Sequence, residues 1–371
     1  MIDKPIKIDF DENEDTSTGY IITQPFSPSD IRITNPPMNL GDLIDMIKYG
    51  WIDFEADYQR EDNLWDEGKQ SRLIESGLLG LRLPAFYFEE VSKKQWRIID
   101  GLQRCSAIRN FCVDQTLSLT DLEFLKFNGW HYSDFDFELT RDLRMLPITV
   151  NILQPGVPDD VKYILFKRLN TGGVELKPQE IRNSMFQGPA INLVRQLASD
   201  NAFIMATCNK IPTRRKQDQD FVSRYLAFYL LSYTDYQPDI ERFINKAMQA
   251  INSRLFTDRQ LSDTYYEFHC AMDLANKVFG KTAFRKFSKG KPGPINKALF
   301  EIIAVTFAKL SPFERHKIED KSEILRKRLL DELYYNEKFS YSLSTTTGRP
   351  DNVKLRFNTF MNMVNDVLSN D

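Results

Sequence analysis

Apolar residues at Leu40, Leu43, Ile44 and Ile47 recur at helical spacing and predict an amphipathic helix over residues 40–49. A second helix is expected over 67–81, with Leu73, Ile74, Leu78 and Leu81 on its apolar side and Pro84 as its stop. The pattern then shortens. Residues 85–88 and 96–99 are brief strand-like runs, and the polar link between them makes them hairpin partners. A helix over 105–111 follows, and 147–153 is the clearest later strand, closed by Pro155, Gly156 and Pro158.

Beyond that point helical spacing dominates, over 159–169, 178–186, 221–233, 240–255, 261–278, 295–310, 324–334 and 353–368. Residues 288–294 and 345–350 read as loops. The expected architecture is α+β. Residues 1–35 form a mobile acidic tail and entry segment, 36–155 a small mixed-sheet α/β domain, and 156–371 a large all-α helical domain. The stripe Phe221, Tyr225, Phe228 and Tyr229 reads as core, and Asp220 with Arg224 as a structural pair.

Composition narrows the classes. With 42% hydrophobic and 12% aromatic residues the chain has ample material for a packed core. Its 49 basic and 52 acidic side chains leave a net charge of −3, so overall charge does not advertise nucleic-acid binding. Two local clusters still offer cations to phosphates: Lys210, Arg214, Arg215 and Lys216, and Arg285, Lys286, Lys289 and Lys291. Each also reads as an ordinary solvated surface. Four cysteines without metal-type spacing suggest reduced thiols, and three distant histidines give no zinc cluster; no haem or flavin site is evident. No apolar run reaches membrane-spanning length and no signal core opens the chain, so a cytoplasmic protein without membrane contact is expected.

The sharpest candidate chemistry is Asp100-Gly101-Leu102-Gln103-Arg104, between a strand run and a helix. Backbone N–H groups at such a turn favour anions, and the arginine fork matches phosphate oxygens. Asp100, Gln103 and Arg104 are the candidate catalytic residues. Asp100 would hold a divalent metal or orient a water, and Gln103 would position a ligand oxygen. Gly101 and Ser106 belong to the same phosphate-binding turn. The same residues also read as a common turn closed by an ion pair. Asn170-Thr171-Gly172-Gly173 reads as an anion nest or as a helix C-cap. Arg60 and Arg182 are candidates for further phosphate contacts. Tyr58, Glu75 and Glu180 are candidate pocket support, Glu75 as a partner of Arg60 or Arg104 or as a solvated acid.

Several blocks carry a resemblance. In order they are Tyr58-Gln59-Arg60, Trp65, Leu73-Ile74-Glu75-Ser76, Leu83-Pro84-Ala85-Phe86-Tyr87-Phe88, Ile99 to Arg104, Ile148-Thr149-Val150, Ile152-Leu153-Gln154-Pro155-Gly156, Phe166 to Gly173, and Pro178-Gln179-Glu180-Ile181-Arg182. This series closely resembles the N-terminal domain of GmrSD-type modification-dependent restriction enzymes, over about residues 39–233. The resemblance implies a ParB/sulfiredoxin-like fold with an Asp-Gly-Gln-Gln-Arg motif. It further implies nucleotide (NTP) binding and hydrolysis with Mg2+, coupled to recognition of foreign or modified DNA in restriction or phage defence. Here Leu102 stands where the motif has its first glutamine. Many relatives add an HNH nuclease; with His269 and His316 isolated, none is expected here, and a separately encoded nuclease would be the partner. Two other readings remain: a non-catalytic DNA or nucleotide sensor that recruits a nuclease, and a ParB-like nuclease.

Overall fold

The computed structural model describes residues 32–54, 65–93, 95–169, 176–288 and 291–369. The expected acidic tail lies almost wholly outside them. The chain divides into two compact units, one built on Gln24–Met185 and one on Phe186–Asp371.

In chain order the first unit holds β1 (Ile33–Thr34), β2 (Met38–Asn39), α1 (Leu40–Lys48), β3 (Ile52–Asp53), α2 (Glu67–Leu78), β4 (Phe86–Ser92) and β5 (Gln95–Asp100). It continues with α3 (Leu102–Ile108), α4 (Phe137–Arg144), β6 (Pro147–Ile148), β7 (Val150–Leu153), α5 (Asp159–Leu169) and α6 (Pro178–Met185). Five strands form a mixed sheet in the order β1-β7-β4-β5-β3, and β2 pairs with β6 separately. The expected hairpin is present: β4 and β5 run antiparallel, while β7 lies parallel to β4 and β3 parallel to β5.

Side chains alternate across a strand, so this sheet has two apolar faces. Phe86, Phe88, Ile98, Val150 and Ile152 join Leu43, Ile44, Ile74, Ile108 and Phe111 in one core. Ile99 and Leu153 face the other way and are covered by Tyr163, Phe166 and Ile181. That second face explains why α5 and α6 lie in the sheet unit, although helical spacing grouped them with the later helices. Helix α2 stops earlier than Pro84 suggests. Its last turn closes at Leu79 and Gly80, with Gly80 left-handed at φ +72°, and Leu81 is exposed rather than packed.

The second unit contains α7 (Pro189–Ala198), α8 (Asn201–Ala206), α9 (Gln217–Leu231), α10 (Ile240–Asn252), α11 (Asp258–Phe279), α12 (Lys297–Ala308), α13 (Pro312–Asp320), α14 (Ser322–Tyr335), α15 (Glu337–Ser342) and α16 (Pro350–Ser369). Helix α12 is buried from Ala298 to Ala308 and apolar there except for Glu301 and Thr306, as suits a central helix. Phe221, Tyr225 and Phe228 pack in the interior as expected. One expectation fails: most of the loop expected over 288–294 is strand, since β8 (Arg285–Ser288) pairs antiparallel with β9 (Lys291–Ile295). Among the described residues no helix is long and apolar enough to cross a membrane.

Candidate functional site

Strand β5 delivers Asp100 to the end of the sheet, and the chain turns there through Gly101 at φ +103°. Only glycine takes that conformation cheaply. Space forbids a side chain as well, since a Cβ would lie 2.9 Å from Phe86 Cδ1 and 3.2 Å from Arg104 Nη2. The tight turn brings Asp100 and Arg104 together across one helical turn. Arg104 Nη2 donates to Asp100 Oδ2 at 2.8 Å and to the Ala85 carbonyl at 3.2 Å. Its guanidinium lies 5.2 Å from the Phe86 ring centroid. Arg104 Nε is buried and has no hydrogen-bond partner. The pair is partly open, with 30% of the Asp100 side chain exposed.

Gln103 plays a part that the sequence does not announce. Its Oε1 accepts from the Trp65 backbone N–H at 2.9 Å, while the Trp65 carbonyl accepts from Gln70 Nε2 at 2.8 Å. Asn110, on the π-helical turn Arg109–Val113 that continues α3, donates to Gln70 Oε1. Side-chain amides thus hold both backbone groups of Trp65 against the motif helix. Trp65 itself packs on the core. Ser106 is half-buried on α3. Because α3 spans only seven residues before the π turn, side chains must carry more of any anion recognition than its dipole.

Helices α5 and α6 cover the face of the sheet that carries Ile99 and Leu153. Lys162, early in α5, meets Glu89 at 2.6 Å, opposite Arg97, whereas Phe166 a turn later packs near Ile99. Helix α6 runs back: Ile181 packs near Ile99, and the Met185 carbonyl accepts from Arg97. Asn170, Gly172 and Gly173 join those helices but lie outside the described residues, as do Tyr58 and Arg60.

Three expected site residues take other work. Glu75 is engaged elsewhere than at Arg104, and Arg60 lies outside the described residues. The Glu75 carboxylate is buried and accepts the backbone N–H groups of Glu123, Phe124 and Leu125 at 2.8–3.0 Å. Burial alone would push this carboxyl up, but those three donors and the nearby Arg72 charge hold it below its ordinary value. Arg182 is wholly buried, with Nε donating to Gln179 Oε1 at 2.7 Å, so it presents no open face to a phosphate. Glu180 Oε2 accepts from the Lys177 N–H at the start of α6.

The basic clusters divide similarly. Lys210 and Arg214 are exposed, and Arg215 and Lys216 are half-buried, both at φ +57°. Arg285 is buried and donates to the Gly293 carbonyl, bracing the hairpin rather than projecting from it. Lys286 reaches Ser344, Lys291 is exposed, and Lys289 lies outside the described residues. All four cysteines are free, and burial pushes the thiols of Cys105 and Cys112 up to about 12. A nucleophilic role for Cys105 therefore has no support.

Among the described residues, no group of three or more His, Cys, Asp or Glu side chains could hold a metal. Asp100 alone fits only an ion that arrives with phosphate ligands and its own waters, as Mg2+ does. No curated protein matches the chain. Residues 40–187 match the GmrSD restriction endonuclease N-terminal domain, and it is this segment of the chain that is similar to that family.

Proposed function

We propose that the Asp100–Arg104 turn binds the phosphates of a nucleoside triphosphate and hydrolyses it, in a restriction or defence system that recognises foreign or modified DNA. The observation that carries this reading is a forced left-handed glycine between a partly exposed carboxylate and a guanidinium whose Nε lacks a partner. Arg104 supplies positive charge to a phosphate, and Asp100 holds or orients the attacking water. Gln103 keeps the turn in place through Trp65. When bound, Mg2+ beside Asp100 would offset phosphate charge. Arg60, Asn170, Gly172 and Gly173 remain candidates for the rest of the phosphate contacts, and a separately encoded nuclease remains the expected partner.

The restriction part of the proposal rests on the family match over residues 40–187. A second reading, binding without turnover, is favoured by the ion pair that already engages Asp100 Oδ2 and by Leu102 in the motif. An NTP panel with Mg2+ separates them: phosphate release by wild type and its loss in Asp100→Asn supports hydrolysis, whereas nucleotide binding without release supports the sensor.

A further inference from the structure

The segment between α15 and α16 is fixed to an unusual degree. Its carbonyls are held one after another by side chains from several elements. Ser342 and Thr347 are held by Arg356, Leu343 by Asn296, Thr345 and Thr346 by Asn352, and Gly348 by the Tyr236 hydroxyl. Arg356, Asn296 and Tyr236 are themselves buried, so the carbonyl edge faces the interior. Thr346, a β-branched residue, is kept at φ +46°, a conformation that costs about 1 kcal/mol or more and persists only under such restraint. The loop is therefore rigid, and its polar side chains are placed before any partner arrives.

Those side chains are Ser344 and Arg349, both exposed, with Thr345 half-exposed between them. Lys286 Nζ donates to Ser344 Oγ at 2.7 Å, which ties the loop to hairpin strand β8. The next strand opens with exposed Lys291. The acid facing this surface from α16 is Asp351, 4.0 Å from Arg349 and largely exposed. The Ser344 hydroxyl donates to the Ser340 carbonyl, so the cations carry the contact; long cations beside a fixed backbone suit phosphodiester oxygens, which are spaced and anionic. No groove-reading helix accompanies them, so contact would be with the backbone rather than with bases.

We infer that loop 342–349 and hairpin β8–β9 form one surface that contacts the phosphodiester backbone of duplex DNA. It rests on the DNA-directed part of the proposed function, and it assigns that contact here rather than to Lys210 and its neighbours. The test is a salt titration of duplex-DNA binding by the full chain, with phosphate release from NTP measured in parallel. Lys291→Glu and Arg349→Glu each weaken binding by about tenfold and lower the slope of log K against log[salt] by about one, while Lys210→Glu leaves both unchanged. Both reversals are at exposed positions, and an unchanged thermal-unfolding profile of the full chain shows that the second unit is intact. Wild-type affinity and slope in both variants, or tighter binding of duplex RNA than of DNA, overturns the inference. Phosphate release without any DNA binding overturns it too, yet leaves the nucleotide reading standing.

Discussion

At Gly101 two independent demands meet, a backbone at φ +103° and a Phe86 ring that leaves no room for a Cβ. Gly101→Ala should therefore cost on the order of 2 kcal/mol in thermal unfolding, and any nucleotide activity should fall with it. An unchanged midpoint would show that the turn relaxes. Glu75 makes a different case. From sequence it was equally a pocket acid or a surface acid, because burial and backbone partners leave no trace in a linear pattern. In the fold it closes the 123–125 segment through three N–H donors. Glu75→Ala should cost about 3 kcal/mol in denaturant unfolding. Its folded carboxyl ionises below the ordinary value of 4.5, so its contribution is full above that pH and is lost as pH falls through the lower folded value. The variant should lack that part of the acid decline in stability.

The elements legible in the sequence were those with several turns or a clear alternation. Helices α1, α5, α9 and α11 follow from apolar spacing, and the β4–β5 hairpin from two short apolar runs around a polar link. Strands β1, β2 and β3, two residues each, are too short to show a period. The β8–β9 hairpin was hidden by Pro292, Gly293 and Pro294, residues that usually mark a loop but are tolerated in a ladder with few partners. Helix α12 carries one acid, Glu301, in an otherwise apolar run. It is fully buried and bridges Arg224 at 2.7 Å and Arg356 at 2.8 Å, joining α9, α12 and α16. Glu301→Ala leaves two guanidiniums without their shared carboxylate and should destabilise by about 4 kcal/mol in chemical unfolding. A loss well under 1 kcal/mol would mean that the arginines find other partners.

Across the whole molecule, the change from strand to helical patterning does not mark the boundary between compact units. Helices α5 and α6 cover the Ile99 and Leu153 face, and the division follows Met185. The candidate site was legible as a motif but not as a geometry. The turn of Asp100 to Arg104 stands where the spacing put it, while Arg182 is sealed inside the unit and Gln103 is committed to Trp65. Burial and hydrogen-bond partners decide those roles, and both arise only when distant segments meet. The central claim is that this turn hydrolyses a nucleotide. Its most direct test is phosphate release from each NTP with Mg2+ by wild type and by Asp100→Asn, which preserves shape while removing charge. We expect release by wild type and a loss of about a hundredfold or more in the variant, with the fold retained. Equal rates in the two proteins would contradict the account.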